Sequence, residues 1–268
     1  MGICHFTHTV IVPVRKEPDH RAEMVTQWLF GEWIDKLEME NEWILGQSRE
    51  DGYKGWYDSR MTFPIDENLM KSVISRKVTH DVISEGLATG KGGSYQIWIT
   101  MGSLVPVIAG SEAAEFQEWK SGNINLKIRT PGARIRNKGK LAAVEMAEAM
   151  LGAPYLWGGR SIMGIDCSGL TQAAMRAQGI QIRRDSSQQA EDGKKVEFEN
   201  RKPGDLAFFS GKRGGVSHVG ILDHDLRIIH SSAQVRKDEF VTVGIKNADS
   251  GEITHQLFTI KRYIESEH

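Results

Sequence analysis

The sequence predicts an α+β chain: a β-rich first half of small all-β barrels, then a mixed domain in which helices come first and strands after. Three observations lead there. Short β-branched and aromatic runs separated by Gly-marked turns fill roughly the first 130 residues. The strongest helical periodicity of the chain, at 141–151, follows at once. From Pro203 onward, apolar and alternating runs return, and segregation of helices from strands is the mark of the α+β class.

Taken in order, the run at 8–15 is β-branched and contains Pro13, whose missing N–H suits an edge strand. Residues 42–45 form a short apolar strand. Asp51-Gly52 is a hairpin turn followed by the aromatics Tyr53, Trp56 and Tyr57. Runs at 77–78, 94–100, 104–108 and 125–128 make a second set, with Met101-Gly102 as a turn between two of them. Residues 66–76, between the sets, suit a short linking helix. Two barrels are therefore expected, at 1–70 and 71–130, and Pro131-Gly132 punctuates the boundary to a third domain at 131–268. There the Ala-, Leu-, Met- and Glu-rich helix at 141–151 is stopped by Gly152 and Pro154. A loop at 153–165 leads to a helix at 167–178, with Asp166 as its N-cap and Gly179 as its stop. A short polar helix at 186–192 and strands at 205–209, 216–222, 227–231 and 256–262 complete the domain.

Composition narrows the function. The 268 residues suit two or three domains, and a net charge of −1 supplies no field to draw nucleic acid or an anionic membrane. A substrate must therefore be held by local chemistry. Two distant cysteines, Cys4 and Cys167, build no disulfide framework, and Cys4 reads as a small buried hydrophobe. No run approaches the roughly 18 apolar residues of a membrane span. The first residues lack the basic and apolar regions of a secretory leader, so a soluble, cytoplasmic protein is expected. A chain whose leader had been removed, periplasmic or secreted, would read the same. Oligomeric state is not legible.

The reactive candidate is Cys167. Behind the cap Asp166 it stands in the first turn of a helix, where unpaired N–H groups and the helix dipole are expected to stabilise a thiolate and lower its pKa. The same N–H groups suit a developing oxyanion. A cysteine nucleophile needs a base that returns its proton to the leaving group. Of the nine histidines, His218 and His230 lie on strands that a turn near His224 would join as a hairpin, so one ring could orient the other. The alternative is that each is an ordinary polar strand residue. Zinc binding by these histidines and Cys167 is a weaker reading than nucleophilic chemistry, and no cofactor or metal is expected.

Five motifs then occur in one order: Tyr155-Leu156-Trp157-Gly158-Gly159, Asp166-Cys167-Ser168-Gly169, Arg184-Asp185-Ser186-Ser187, Lys202-Pro203-Gly204-Asp205-Leu206 and Ser217-His218-Val219-Gly220-Ile221, with His230 following. Over about residues 135–265 the chain resembles the NlpC-type cell-wall peptidase family, whose members have a papain-like fold. The resemblance implies Cys167 as nucleophile, His218 as general base and His230 as third member. It implies cleavage of peptidoglycan stem peptides between γ-linked D-glutamate and a diamino acid, either diaminopimelate or lysine. More narrowly, the chain is similar to the YkfC-like subgroup, in which two SH3-like barrels precede the peptidase domain and the substrate carries a free N-terminal L-alanine.

That narrower resemblance implies that Tyr53 and Glu23 reach the substrate, that Asp185 and Ser186 hold its ammonium end, and that Trp157, Asp166 and Ser168 line the groove. Simpler readings stand beside it. Trp56 and Trp157 could be core aromatics, and Asp166 and Asp185 caps alone. Two other functions also remain open: an amidase or acyltransferase on the same fold, and a non-catalytic wall-binding module.

Overall fold

The computed structural model describes residues 4–65, 67–80, 83–90, 93–121, 124–129, 141–211 and 214–264. Pro131-Gly132 lies outside them. The chain divides into two compact units, Met1–Arg134 and Ile135–His268. No helix among the described residues is long and apolar enough to cross a membrane.

The described elements of the first unit are all strand except a 3-10 turn, Ser59–Met61, and one helix. Seven strands form its larger sheet, in the spatial order Met24–Leu29, Ile11–Arg15, Lys54–Asp58, Trp43–Ser48, Trp33–Glu40, Cys4–Thr7 and Thr62–Pro64. Asp51-Gly52 turns the chain between Trp43–Ser48 and Lys54–Asp58 as expected, with Gly52 at φ +73°. Pro13 does not lie on an edge strand. Ile11–Arg15 has neighbours on both sides, but it meets Lys54–Asp58 only through Arg15 and Trp56, so the N–H that Pro13 lacks is not needed there. The linking helix is shorter than expected, Glu67–Ser72, and Arg76 belongs to the strand Val73–Val78.

The remaining strands of this unit make a four-stranded and a two-stranded sheet. They share a core with the larger sheet: Phe6 and Phe30 pack with Ile99, Val105, Trp119, Leu126 and Ile128. A second cluster around Trp28, Ile34, Ile44 and Tyr57 fills the first sheet alone. Apolar area is thus buried jointly across the expected 70/71 boundary. Cys4 is buried in the shared core, and that burial pushes its thiol up to about 11.

In the second unit the helix Ala142–Ala149 buries Ala143, Val144, Met146 and Ala147, one apolar face at helical spacing. It packs on the helix Cys167–Ala177, which is buried from Cys167 through Met175. Gly179, at φ +80°, ends that helix in the left-handed conformation that glycine adopts without strain. Behind the helices the strands run Lys194–Val196, Ile253–Arg262, Leu206–Ser210, Val216–Leu222, Ile228–Ser232, Gln234–Val241 and Gly244–Lys246. Gly244–Lys246 also pairs with Ile253–Arg262, so the sheet closes on itself around Ala207, Phe209, Leu222, Ile228, Phe240 and Ile245. Helices first and strands after is the α+β order that the sequence predicts.

Candidate active site

The site begins with a cap. Asp166 is extended, at φ −91° and ψ 175°, and its Oδ1 accepts the Gly169 N–H at 2.7 Å, which starts the helix at Cys167. Two glycines let the preceding loop close on this first turn. A Cβ on Gly169 would stand 2.3 Å from the Gly159 carbonyl oxygen, and one on Gly159 would stand 2.3 Å from that of Gly164. Only glycine permits these approaches.

The Asp166 carboxylate is fully engaged. Oδ1 also accepts from Ser168 Oγ and Arg184 Nη1, each at 3.1 Å, while Oδ2 accepts from Gly158 N at 2.9 Å and Arg184 Nη2 at 2.6 Å. Ser168 Oγ in turn accepts from Arg184 Nη1 at 2.7 Å. Asp166 and Ser168 are therefore committed to internal partners, a carboxylate having about four lone-pair positions. The resemblance implies a groove-lining part for both, and these internal bonds are what the structure shows of them. They fix the turn that carries Cys167. Gln189, fully buried, holds the same turn from the other side. Its Nε2 donates to the carbonyls of Ser168 at 3.2 Å and Arg183 at 2.8 Å, and its Oε1 accepts from Thr171 at 2.8 Å. A glutamine in a polar stretch gave no sign of this in the sequence.

Cys167 is 8% exposed, and the Val219 N–H, next along the chain from His218, reaches its sulfur. The expected fall in its pKa does not occur. Burial, with the neighbouring Asp166 charge, pushes the thiol up to about 12 against the opposing pull of the Val219 N–H, Arg184 and the Ser168 N–H. His218 moves the other way. Burial, then the proximity of His230 and His255, holds it well below the ordinary histidine value of 6.5. Burial thus disfavours the charged form of both groups.

His218 and His230 are brought together as the hairpin reading requires, with His218 Nε2 and His230 Nδ1 2.9 Å apart. Beyond them, Asp238 Oδ2 lies 2.9 Å from His230 Nε2. His255, from the strand Ile253–Arg262, stacks on His218 with ring centroids 4.3 Å apart and planes 24° from parallel. Asp238 and His255 were not singled out in the sequence. Asp238 sits on Gln234–Val241, which a tight turn joins to the His230 strand but which does not read as a strand in the sequence, and His255 sits on Ile253–Arg262, far along the chain from His218. Tyr155 opens the first of the five motifs. Its hydroxyl is pushed up to about 12, first by burial and then by Cys167 and Asp166 nearby.

Of the remaining expected residues, Trp157 is 61% exposed, so it is no core aromatic. Asp185 forms a capping box with Gln188 at the start of Ser186–Gln189. Ser186 opens that turn and is half-buried. Tyr53 and Glu23 belong to the first unit, where the Tyr53 N–H donates to Asp51 Oδ1 at 3.0 Å and the Glu23 carbonyl accepts from the Lys16 N–H at 3.0 Å. Among the described residues, no group of three or more His, Cys, Asp or Glu side chains is arranged to hold a metal ion.

Comparison with known proteins gives a family and a fold. Residues 152–260 match the NlpC/P60 family, and residues 14–60 match the bacterial dipeptidyl-peptidase Sh3 domain. The chain is 30% identical over 234 residues to a gamma-D-glutamyl-L-lysine dipeptidyl-peptidase of Bacillus subtilis, covering 81% of this chain and 75% of that one. It is 25% identical over 238 residues to the protein of the same name in Bacillus cereus, covering 82% and 70%. The fold is similar to the crystal structure of an NlpC/P60 family protein from Bacillus cereus, with a TM-score of 0.79 at 18% identity over 98% of this chain and all of that one.

Proposed function

We propose, for a chain that belongs to the NlpC/P60 family and is a cysteine peptidase, that the bond it hydrolyses is the amide between γ-D-glutamate and the diamino acid of a peptidoglycan stem peptide bearing a free N-terminal L-alanine. The observation that carries this reading is the placement of Cys167 at a buried helix start under the Val219 N–H, with His218 bonded to His230 in the adjoining hairpin. The gamma-D-glutamyl-L-lysine named in both Bacillus relatives supports the substrate class and favours lysine as its third residue.

The reaction is acyl transfer in two steps. As the Cys167 sulfur forms a bond to the γ-glutamyl carbonyl carbon, the thiol proton passes to His218. The resulting oxyanion is held by N–H groups of the first helical turn. The C–N bond then breaks as His218 returns the proton to the departing amine, leaving a thioester. Water attacks the thioester while His218 takes a proton from it, and the thiol is restored as the acid leaves.

Asp185 and Ser186 would receive the L-alanine ammonium, and Trp157 would cover the peptide. A desolvated ammonium is costly without a carboxylate partner, and a site built for it rejects a peptide that lacks it. Such an enzyme would trim released fragments and leave intact wall, where that nitrogen is an amide.

The test is mass spectrometry of products from equal mixtures of L-Ala-γ-D-Glu-L-Lys and its N-acetyl form. Cleavage after D-glutamate is expected, with the acetylated peptide slower by about 100-fold or more. Equal rates would remove the free-amine part, and cleavage at a different bond would remove the substrate assignment.

A further inference from the structure

Three neighbouring strands of the second unit carry His218, His230 and Asp238. Gly220 stands directly opposite His230 on one side, and Arg236 stands directly opposite it on the other. His218 and Asp238 are therefore each two residues along from a direct partner of His230. They lie on the same face, on the two diagonals, within reach of a long or aromatic side chain. Gly220 puts no side chain across from His230, where a Cβ would meet Ile228 Cγ1 at 2.7 Å, and the ring of His218 reaches His230 along the diagonal.

The far end of this line is fixed. Asp238 is 1% exposed, and its Oδ1 accepts from Arg236 Nη2 and from the Ala248 N–H, each at 2.9 Å. Arg236 is itself held by Asp249 at 2.7 Å. With Oδ1 occupied, Oδ2 faces His230 Nε2. Burial alone would raise this carboxyl. The Ala248 N–H, His230 and Arg236 outweigh it and keep the group ionised. An ionised carboxylate only accepts, so His230 must carry its proton on Nε2. His230 Nδ1 is then a lone pair. The 2.9 Å bond to His218 requires that His218 also carry its proton on Nε2.

We propose that Asp238 is a positioning residue that sets the tautomer of both rings, leaving Nδ1 of His218, the nitrogen not engaged by His230, as the base for the Cys167 thiol. The inference rests on Cys167 and His218 being the reacting pair proposed above. The arrangement also favours the imidazolium that His218 becomes during reaction, because the relay presents a lone pair to it and ends in a negative charge.

Asp238→Asn gives a sharp test. The donors Arg236 and Ala248 require an oxygen at the Oδ1 position, so the new amide must turn its NH2 toward His230 Nε2. His230 then holds its proton on Nδ1, and His218 is driven to the Nδ1–H form, with no lone pair left for the thiol proton. The expected result is a fall in kcat of about 100-fold or more with KM within about 3-fold. Nitrogen-15 NMR of the histidines should show both rings as Nε2–H in the unsubstituted protein and as Nδ1–H in Asp238→Asn. A merely structural carboxylate would lower the melting temperature without moving the tautomers. A folded Asp238→Asn with unchanged tautomers or unchanged kcat would overturn the proposal.

If that variant does not fold, the spectrum of the unsubstituted protein decides, because an Nδ1–H form at either ring contradicts the role of Asp238. The spectrum and the activity of Cys167→Ala fail separately. Turnover by Cys167→Ala removes the reacting pair, and an Nδ1–H ring removes Asp238 whatever that assay gives.

Discussion

Arg184 and Asp166 form a buried ion pair at 2.6 Å, one residue before the nucleophile, with the guanidinium side chain 2% exposed. The pair places a negative charge beside Cys167 and a compensating positive charge next to it, and both act on the thiol. Removing the arginine leaves a carboxylate buried without its cation. Arg184→Met is expected to lower the unfolding free energy by about 3–5 kcal/mol, measured by denaturant titration. Its residual folded fraction should turn over more slowly, because the thiol loses an opposing positive charge. Unchanged stability would show that the pair does not hold the turn.

The pH dependence follows from the two shifts at the reacting groups. His218 is depressed well below 6.5 and Cys167 is raised to about 12, so the active form is neutral thiol with neutral imidazole. Lowering the pH protonates His218 and removes the base. The acid limb of kcat/KM should therefore lie below 6.5, with a plateau from near neutrality into the alkaline range. A preformed thiolate–imidazolium pair would instead lose activity on the alkaline side, as the imidazolium deprotonates. A profile falling between pH 7 and 9 would contradict the neutral pair.

Stability of the first unit should depend on pH through His5 and His8. Burial depresses each to about 4, in His5 with help from Lys36. The unfolded chain binds protons at these sites below about 6.5, while the folded chain resists until about 4. Their contribution is complete above 6.5 and is lost as pH falls through that window. His8, stacked on Phe63 with centroids 3.7 Å apart, is the cleaner probe. His8→Gln should flatten the slope of stability against pH between 6.5 and 4 by up to about 1.4 kcal/mol per pH unit. An unchanged slope would exclude His8 as a contributor.

Gly169→Ala tests the close approach beneath the nucleophile. The added methyl would meet backbone, the Gly159 carbonyl oxygen at 2.3 Å, so the helix start or the 158–160 loop must move. A loss of about 1–3 kcal/mol in stability is expected, together with reduced kcat. Gly152→Ala is a control of a different kind, since a Cβ there meets nothing within 4 Å and only the positive φ of +84° is strained. Equal kcat for Gly169→Ala and the unsubstituted protein would contradict the account of the turn.

Local features were legible in the sequence. The cap Asp166, the helix it starts, the stop at Gly179 and the hairpin joining His218 to His230 each depend on residues within about a dozen positions. What was not legible depends on partners far along the chain. Pro13 reads as an edge residue because propensity does not reveal which strand will pair at Arg15 alone. Residues 73–76 read as the end of a helix, whereas pairing with Leu104–Ile108 makes them part of a strand. The raised thiol of Cys167 is a burial effect that needs the folded domain. Asp238 is only eight positions from His230, but the charged run around it does not read as a strand, and His255 joins the site through a strand far along the chain.

The central claim is a covalent step at Cys167, and trapping that step tests it most directly. Acid quench of the protein during turnover of L-Ala-γ-D-Glu-L-Lys, followed by peptide mass spectrometry, should show an L-Ala-γ-D-glutamyl adduct on the peptide containing Cys167. Cys167→Ala should give neither adduct nor product. Product release by Cys167→Ala at the rate of the unsubstituted protein would contradict the mechanism.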